Sequence, residues 1–168
     1  NLAGRGAAAG AVGGSASGGG ISVTGGHLKE LRDSLFSANI ARAGGNWNLA
    51  YSAGRGGGLA NSGFIDTIAR ATYSANRALG DWGGVGLGGG LDNTGEIGRI
   101  VAATMFANTA EGGLGAHLVQ GDSLGGGIAN LGSIAEIAAS SFVGNDCLEH
   151  PNSFLAYSAG GGIYNATD

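Results

Sequence analysis

The stretch GGGIANLGSIAEIAASSFVGNDC, residues 125–147, decides how this chain folds. Three glycines lead into Ile128, and Asn130 follows two residues later. Ile134 and Ile137 form an apolar pair, Phe142 comes after it, and Asn145 stands three residues beyond the Phe. The stretch holds no uninterrupted helical period. The IxxI spacing alone fits a helix, but its window is short, bounded by Gly and Asn, and rich in β-branched residues, which favours short strands.

The same order recurs along the chain. Triple glycines end at Gly20, Gly58, Gly90, Gly127 and Gly162, at steps of 32 to 38 residues, and each is followed by Ile21, Leu59, Leu91, Ile128 or Ile163. Asn61, Asn93, Asn130 and Asn165 stand two residues further on in the last four copies; Val23 holds that place in the first. Leu28/Leu31, Ile65/Ile68, Ile97/Ile100 and Ile134/Ile137 are the apolar pairs. Phe36, Tyr73, Met105 and Phe142 follow them, and then Asn39, Asn76, Asn108 and Asn145. Asn1 stands as far before Gly18 as Asn39 does before Gly56, so the expectation is one β-helical segment over 1–168, cut from a longer repeat array.

Composition agrees with a repeat and not with disorder. The 168 residues include 38 Gly and 1 Pro, a level that without a period would signal low complexity. Yet 43% are hydrophobic and only 12% charged, the reverse of a disordered chain. The net charge of −4 gives no support for binding nucleic acid or anionic membrane. The longest apolar runs fall far below the ~18 residues of a spanning helix, and no signal peptide is visible. The single Cys excludes an internal disulfide framework.

A repeat of short strands cannot bury its own apolar face, whereas stacked coils can, each strand pairing in parallel with its equivalents ~4.8 Å above and below. We read each repeat as three short extended segments of an all-β parallel β-helix, a solenoid of about four complete rungs. Glycine supplies corners of positive φ and close backbone approach. The repeated Asn39, Asn76, Asn108 and Asn145 are expected to tolerate the left-handed region at a corner and to form an amide ladder. In this alignment Lys29 falls over Asp66, Asp33 over Arg70 and Arg99 over Glu136, opposite charges where like charges would repel. The alignment also places Ile68, Ile100 and Ile137 in one interior column, and Cys147 in the column of Ala41, Ala78 and Ala110 as a small buried residue.

The recurring GGGI or GGGL, with Phe36-Ser37-Ala38-Asn39 and Phe142-Val143-Gly144-Asn145, resembles the polymorphic outer membrane protein repeat, whose marks are GGA[IV] and FxxN. The resemblance covers about residues 18 to 165. Tyr73 and Met105 replace the Phe in two copies, and Gly stands for the Ala throughout the first motif. The family is found in bacterial autotransporter and adhesin passengers. It implies an extracellular or cell-surface location, and together with the usual crossover preference it implies a right-handed coil.

Few residues suggest chemistry. Gly84 to Gly89 match GxGxxG, but a dinucleotide site needs a helix after it, and another short strand is expected there. The stretch EGGLGAHLVQGD, 111–122, lacks the regular Asp ligands of calcium-binding nonapeptides. Cys147, Glu149 and His150 have no further partner nearby to complete a metal site. Asn165-Ala166-Thr167 is a glycosylation sequon that matters only in a eukaryotic secretory setting. No catalytic residue, metal or cofactor is assigned.

The informative regions are the turns of variable length between each Asn and the next triple glycine, at 40–55, 77–87, 109–124 and 146–159. They are expected to leave one corner of the coil. They carry Trp47, Tyr51, Trp82, His117, Phe154 and Tyr157, the candidate binding residues. Such loops often form the binding face of a solenoid. The competing reading is that they fold back and cover the coil, since AYSAG recurs at Ala50–Gly54 and Ala156–Gly160 as if it were scaffold. The expected function is a non-enzymatic adhesin or scaffold segment, whose partner is a surface glycan, a protein, or neighbouring rungs of the same array. The alternatives are a polysaccharide lyase or hydrolase, favoured by carboxylates clustered on one face, and a subunit of an extracellular filament.

Overall fold

The computed structural model describes residues 2–3, 14–44, 52–81, 83–113, 121–149 and 156–166. Within them the chain is a parallel β-helix of four complete coils. The first coil runs β2 (Ala16–Ser17), β3 (Ile21–Val23), β4 (His27–Arg32), β5 (Leu35–Ser37) and β6 (Ile40–Arg42), with β1 (Leu2–Ala3) preceding it. The second runs β7 (Ala53–Arg55), β8 (Leu59–Asn61), β9 (Phe64–Ala69), β10 (Thr72–Ser74) and β11 (Arg77–Leu79). The third is β12 (Val85–Leu87), β13 (Leu91–Asn93), β14 (Glu96–Val101), β15 (Thr104–Phe106) and β16 (Thr109–Glu111). The fourth is β17 (Ser123–Leu124), β18 (Ile128–Asn130), β19 (Ser133–Ala138), β20 (Ser141–Val143) and β21 (Asp146–Leu148). Two strands, β22 (Ser158–Ala159) and β23 (Ile163–Asn165), begin the next turn. Each coil thus has five strands, not the three read from the sequence, because single glycine and alanine corners split segments that read as continuous.

Equivalent strands pair in parallel and in register, giving five sheets that run along the axis. Ile68 pairs with Ile100 and Ile100 with Ile137, as the repeat alignment requires. Ile68 and Ile100 are fully buried, while Ile137 is 37% exposed because β19 is the outermost described strand of its sheet. The IxxI pair has a cause in the long strand of each coil. The register pairs Ile97 with Ile65 and Arg99 with Thr67 but skips the residue between them, Gly98 against Asp66. That interruption changes the phase of the side-chain alternation, so residues three apart both point inward. With unbroken alternation they would face opposite sides.

The triple glycine serves three separate needs. Gly56 has φ of 57°, which turns the corner. A Cβ on Gly57 would lie 2.3 Å from the Gly89 carbonyl oxygen of the next coil and 2.5 Å from the Arg77 nitrogen across the coil. A Cβ on Gly58 would lie 2.7 Å from the Gly90 carbonyl oxygen and 2.9 Å from the Tyr73 ring.

The asparagine corner differs from its sequence reading in one respect. Asn39, Asn76 and Asn108 do not themselves adopt the left-handed conformation. The preceding residue does: Ala38, Ala75 and Ala107 at φ of 52° and Gly144 at 61°. Asn is required for its side chain. Asn76 donates its backbone N–H and its Nδ2 to Asn108 Oδ1, at 3.0 and 2.9 Å, and its Nδ2 also donates to the Phe36 carbonyl at 2.9 Å. The same pattern links Asn39 to Asn76 and Asn108 to Asn145. The side chain thereby satisfies the backbone groups that the tight corner leaves unpaired. A second ladder runs Asn61, Asn93, Asn130, Asn165, with Nδ2 to Oδ1 distances of 2.7, 2.7 and 2.6 Å.

The main core lies between the second, third and fourth strands of each coil. Leu59, Ile65, Ile68, Tyr73, Leu91, Ile97, Ile100, Met105 and Ile128 fill it. The Phe36 and Tyr73 rings stack with centroids 4.7 Å apart. The Tyr73 hydroxyl is buried without a hydrogen-bond partner, and burial pushes its ionisation far above the ordinary range for a phenol.

Candidate functional site

The inserts of variable length occupy 43–52, 80–84, 112–122 and 149–157, and all lie between a fifth strand and the following first strand. They therefore leave one corner, as the repeat spacing implied. They are shorter than the turns drawn from sequence, because the outer residues of those turns belong to β6, β7 and their equivalents. Of the six candidate loop residues, Trp47, Tyr51, Trp82, His117 and Phe154 lie outside the described residues. Tyr157 is described. It stands at the mouth of β22, 58% exposed, and its backbone N–H donates to Asp122 Oδ1 at 3.1 Å. The two AYSAG copies are not equivalent in the coil. Gly54 shares a column with Gly86, Ser123 and Ser158, so the second copy is displaced by two residues relative to the first. They do not form one repeated scaffold element.

The charged columns resolve into specific bonds. Arg70 forms a two-pronged pair with Asp33, at 2.6 and 2.7 Å, and this bond holds the exposed Asp33 carboxyl below the usual range. Arg99 and Glu136 are register partners. Asp66 bonds to His27 Nε2 at 2.8 Å rather than to Lys29. Lys29 and Asp66 occupy the skipped position of the long strand, so the register does not pair them. Cys147 pairs in register with Ala110, as aligned, but it is half-buried rather than enclosed. Burial raises its thiol above the ordinary range, and Sγ donates to the Ala159 carbonyl at 3.1 Å. Among the described residues no group of three His, Cys, Asp or Glu is placed to hold a metal ion. The GxGxxG stretch runs through β12 into the corner before β13.

One further site emerges that sequence reading did not single out. The outer faces of the first and second strands of each coil meet in a groove along the axis. One wall is the column Ser17, Arg55, Leu87, Leu124, Ala159. The other is Ser22, Ala60, Asp92, Ala129, Tyr164. In the upper coils Leu87, Leu124 and Ala129 close the groove as a small second core, with Val85, Ala159 and Tyr164 against it. In the lower coils Ser17, Ser22 and Ala60 are too small to fill it, and a cleft of about 350 Å³ remains.

Arg55 and Asp92 sit in that cleft. Arg55 Nη1 lies 3.2 Å from Asp92 Oδ2. Asp92 is only 2% exposed, and its other oxygen, Oδ1, is buried with no hydrogen-bond partner. Burial raises the Asp92 carboxyl to about 6, against the opposing pull of Arg55. The alternation of β13 explains its place, since Leu91 and Asn93 point inward and Asp92 between them points out. The signal available in the sequence was Asp92 itself, the only carboxylate in a column otherwise filled by Ser, Ala and Tyr.

The chain was compared with protein-family models, curated proteins and solved structures, and nothing matches it.

Proposed function

We propose that this chain is a segment of a non-enzymatic extracellular or bacterial cell-surface scaffold of adhesin type, as the GGA[IV]/FxxN resemblance implies. One observation carries the reading. Inserts of unequal length leave a single corner while the strands on either side of them keep pairing with their equivalents in the next coil. The strand residues are committed to stacking, and the inserts are free to vary without cost to the stack, which suits display of binding loops. The exposed Tyr157 aromatic ring at the edge of one insert fits such a surface. The chemistry of a hydrolase is less well served, because the groove cleft is lined by one carboxylate and glycoside hydrolysis uses two.

The test is a Trp47→Ala, Trp82→Ala double variant, compared with the parent chain on beads for attachment to glycan-coated and protein-coated surfaces. The expected outcome is an unchanged circular-dichroism spectrum with attachment lost. A folded double variant that attaches as strongly as the parent would remove these loops from the binding surface. Loss of the fold would instead assign the tryptophans a covering role.

A further inference from the structure

We propose that the cleft around Arg55 and Asp92 is a binding site for a neutral saccharide, separate from the corner loops and independent of whether those loops bind.

Four observations lead there. First, the scaffold does not need the ion pair. Equivalent places in other coils hold Leu87, Leu124 and Ala129, which pack as a closed apolar cluster. Replacing a buried ion pair by packed apolar residues is often neutral or stabilising, so the pair is not explained by stability. Second, Asp92 Oδ1 is a buried acceptor without a partner. Such groups are rare in folded proteins, so the pair is held there at a cost in polar satisfaction. Third, the groove is open beside the pair, because Ser17, Ser22 and Ala60 are small. Its volume falls in the range of ~300–1,000 Å³ usual for small-molecule sites. Fourth, the remaining lining is rich in hydroxyls: Ser17, Ser22, Thr24, Ser62 and Thr94.

The chemistry of these groups selects the ligand. A divalent cation would meet a single carboxylate with a guanidinium already against it, too few hard oxygen ligands for calcium or magnesium. An anion would be drawn by Arg55 but repelled by Asp92 beside it. A wholly apolar ligand would strand the Arg55 guanidinium and the hydroxyls. A neutral polyhydroxylated ring meets each requirement. Ring or hydroxyl oxygens accept from the Arg55 N–H groups left free by Asp92, and the ring's hydroxyls donate to the Ser and Thr oxygens that line the cleft. The guanidinium, held by Asp92, enters the contact already oriented, which reduces the entropy lost on binding.

The experiment is a titration of the ¹⁵N-labelled chain with neutral methyl glycosides of glucose, galactose and mannose, followed by amide and Arg side-chain shifts. Saturable shifts are expected for at least one glycoside, centred on Arg55, Asn61, Ser62 and Thr94. Asp92→Asn should weaken that binding at least about tenfold, because the Arg55 guanidinium loses the carboxylate that orients it. Ser17→Leu puts into the cleft the side chain that Leu87 and Leu124 carry in the same column, so it should fold and abolish binding. It also decides the matter if Asp92→Asn fails to fold. Absence of saturable shifts with all three glycosides would overturn the proposal. So would unchanged affinity in folded Ser17→Leu, or tighter binding of glucuronate than of methyl glucoside. None of these changes touches the corner inserts, so failure here and failure of the loop reading are distinguishable.

Discussion

Each coil has a wide lobe and a pinched edge, and they are held together by opposite means. In the lobe, between the second, third and fourth strands, large side chains fill the space, and backbones from opposite walls do not meet. At the edge the first and fifth strands lie backbone against backbone. A Cβ on Gly54 would be 2.3 Å from the Leu79 carbonyl oxygen, and one on Gly86 would be 2.4 Å from that of Glu111. Ala41, Ala78 and Ala110 are the buried side chains of the facing strand. The lobe therefore gains stability from the area it buries, and the edge from what its residues lack. The inserts leave from the edge, where the chain passes between the first and fifth strands. There an insert displaces no side chain of the main core.

The lobe is most vulnerable at its centre. Ile100 is fully buried in the third of four coils, with Ile68 on one side and Ile137 on the other. Ile100→Asp places an unpaired charge among them, at a cost of several kcal/mol. The expected outcome is loss of cooperative folding, seen as absence of a thermal transition. A soluble variant with a parent-like transition would show that the lobe is not a close-packed core.

At the edge, adding one methyl group should hurt as removing several does in a core. Gly57→Ala forces its Cβ against backbone atoms of β11 and of the glycine corner of the next coil, which cannot move without parting the walls. A loss of ~3 kcal/mol is expected, at the upper end of overpacking costs, read from the midpoint of urea unfolding. A loss below ~1 kcal/mol would mean that the walls at the edge can separate.

The outer groove sharpens the contrast from within one strand, since β13 sends Leu91 into the lobe and Asp92 to the groove. Asp92 is raised to about 6 in the folded chain, above its ordinary 3.8. Between those values the folded state holds a proton that the unfolded state releases. The stability Asp92 contributes is thus fully present below the lower value and lost as pH rises through about 6. The loss amounts to ~3 kcal/mol. Asp92→Asn should remove that slope and be the more stable chain at neutral pH. Equal pH dependence of urea midpoints in parent and variant would contradict the assignment.

The smallest effect is expected at Gly144. Its φ of 61° matches the 52° of Ala38, Ala75 and Ala107 in the same corner column, and no atom lies within 4 Å of an added Cβ. Gly144→Ala should change stability by less than ~1 kcal/mol. A large loss would show that the corner differs in the fourth coil. Set beside Gly57→Ala, it separates glycines required by close approach from glycines that alanine can replace.

The sequence by itself determined the repeat, the parallel stacking, the interior column through Ile68 and Ile100, and the ladder through Asn39, Asn76, Asn108 and Asn145. These are legible because a stacked coil places the same residue type over itself, so register in space becomes recurrence along the chain. The single corner of the inserts was legible for the same reason, as variable length between constant blocks. What did not recur could not be read. Five strands rather than three, and the left-handed residue before each Asn, depend on backbone angles that Ala and Gly share with many other settings. The partner of Asp66 depends on a break in one strand's ladder. The Arg55–Asp92 cleft was hidden most completely. Its residues come from three coils, and Arg55 and Asp92 are each an exception in its own column. Only the tertiary structure brings the outer faces of two sheets together, so that small side chains on one coil leave open beside a buried carboxylate the space that leucines close on the next.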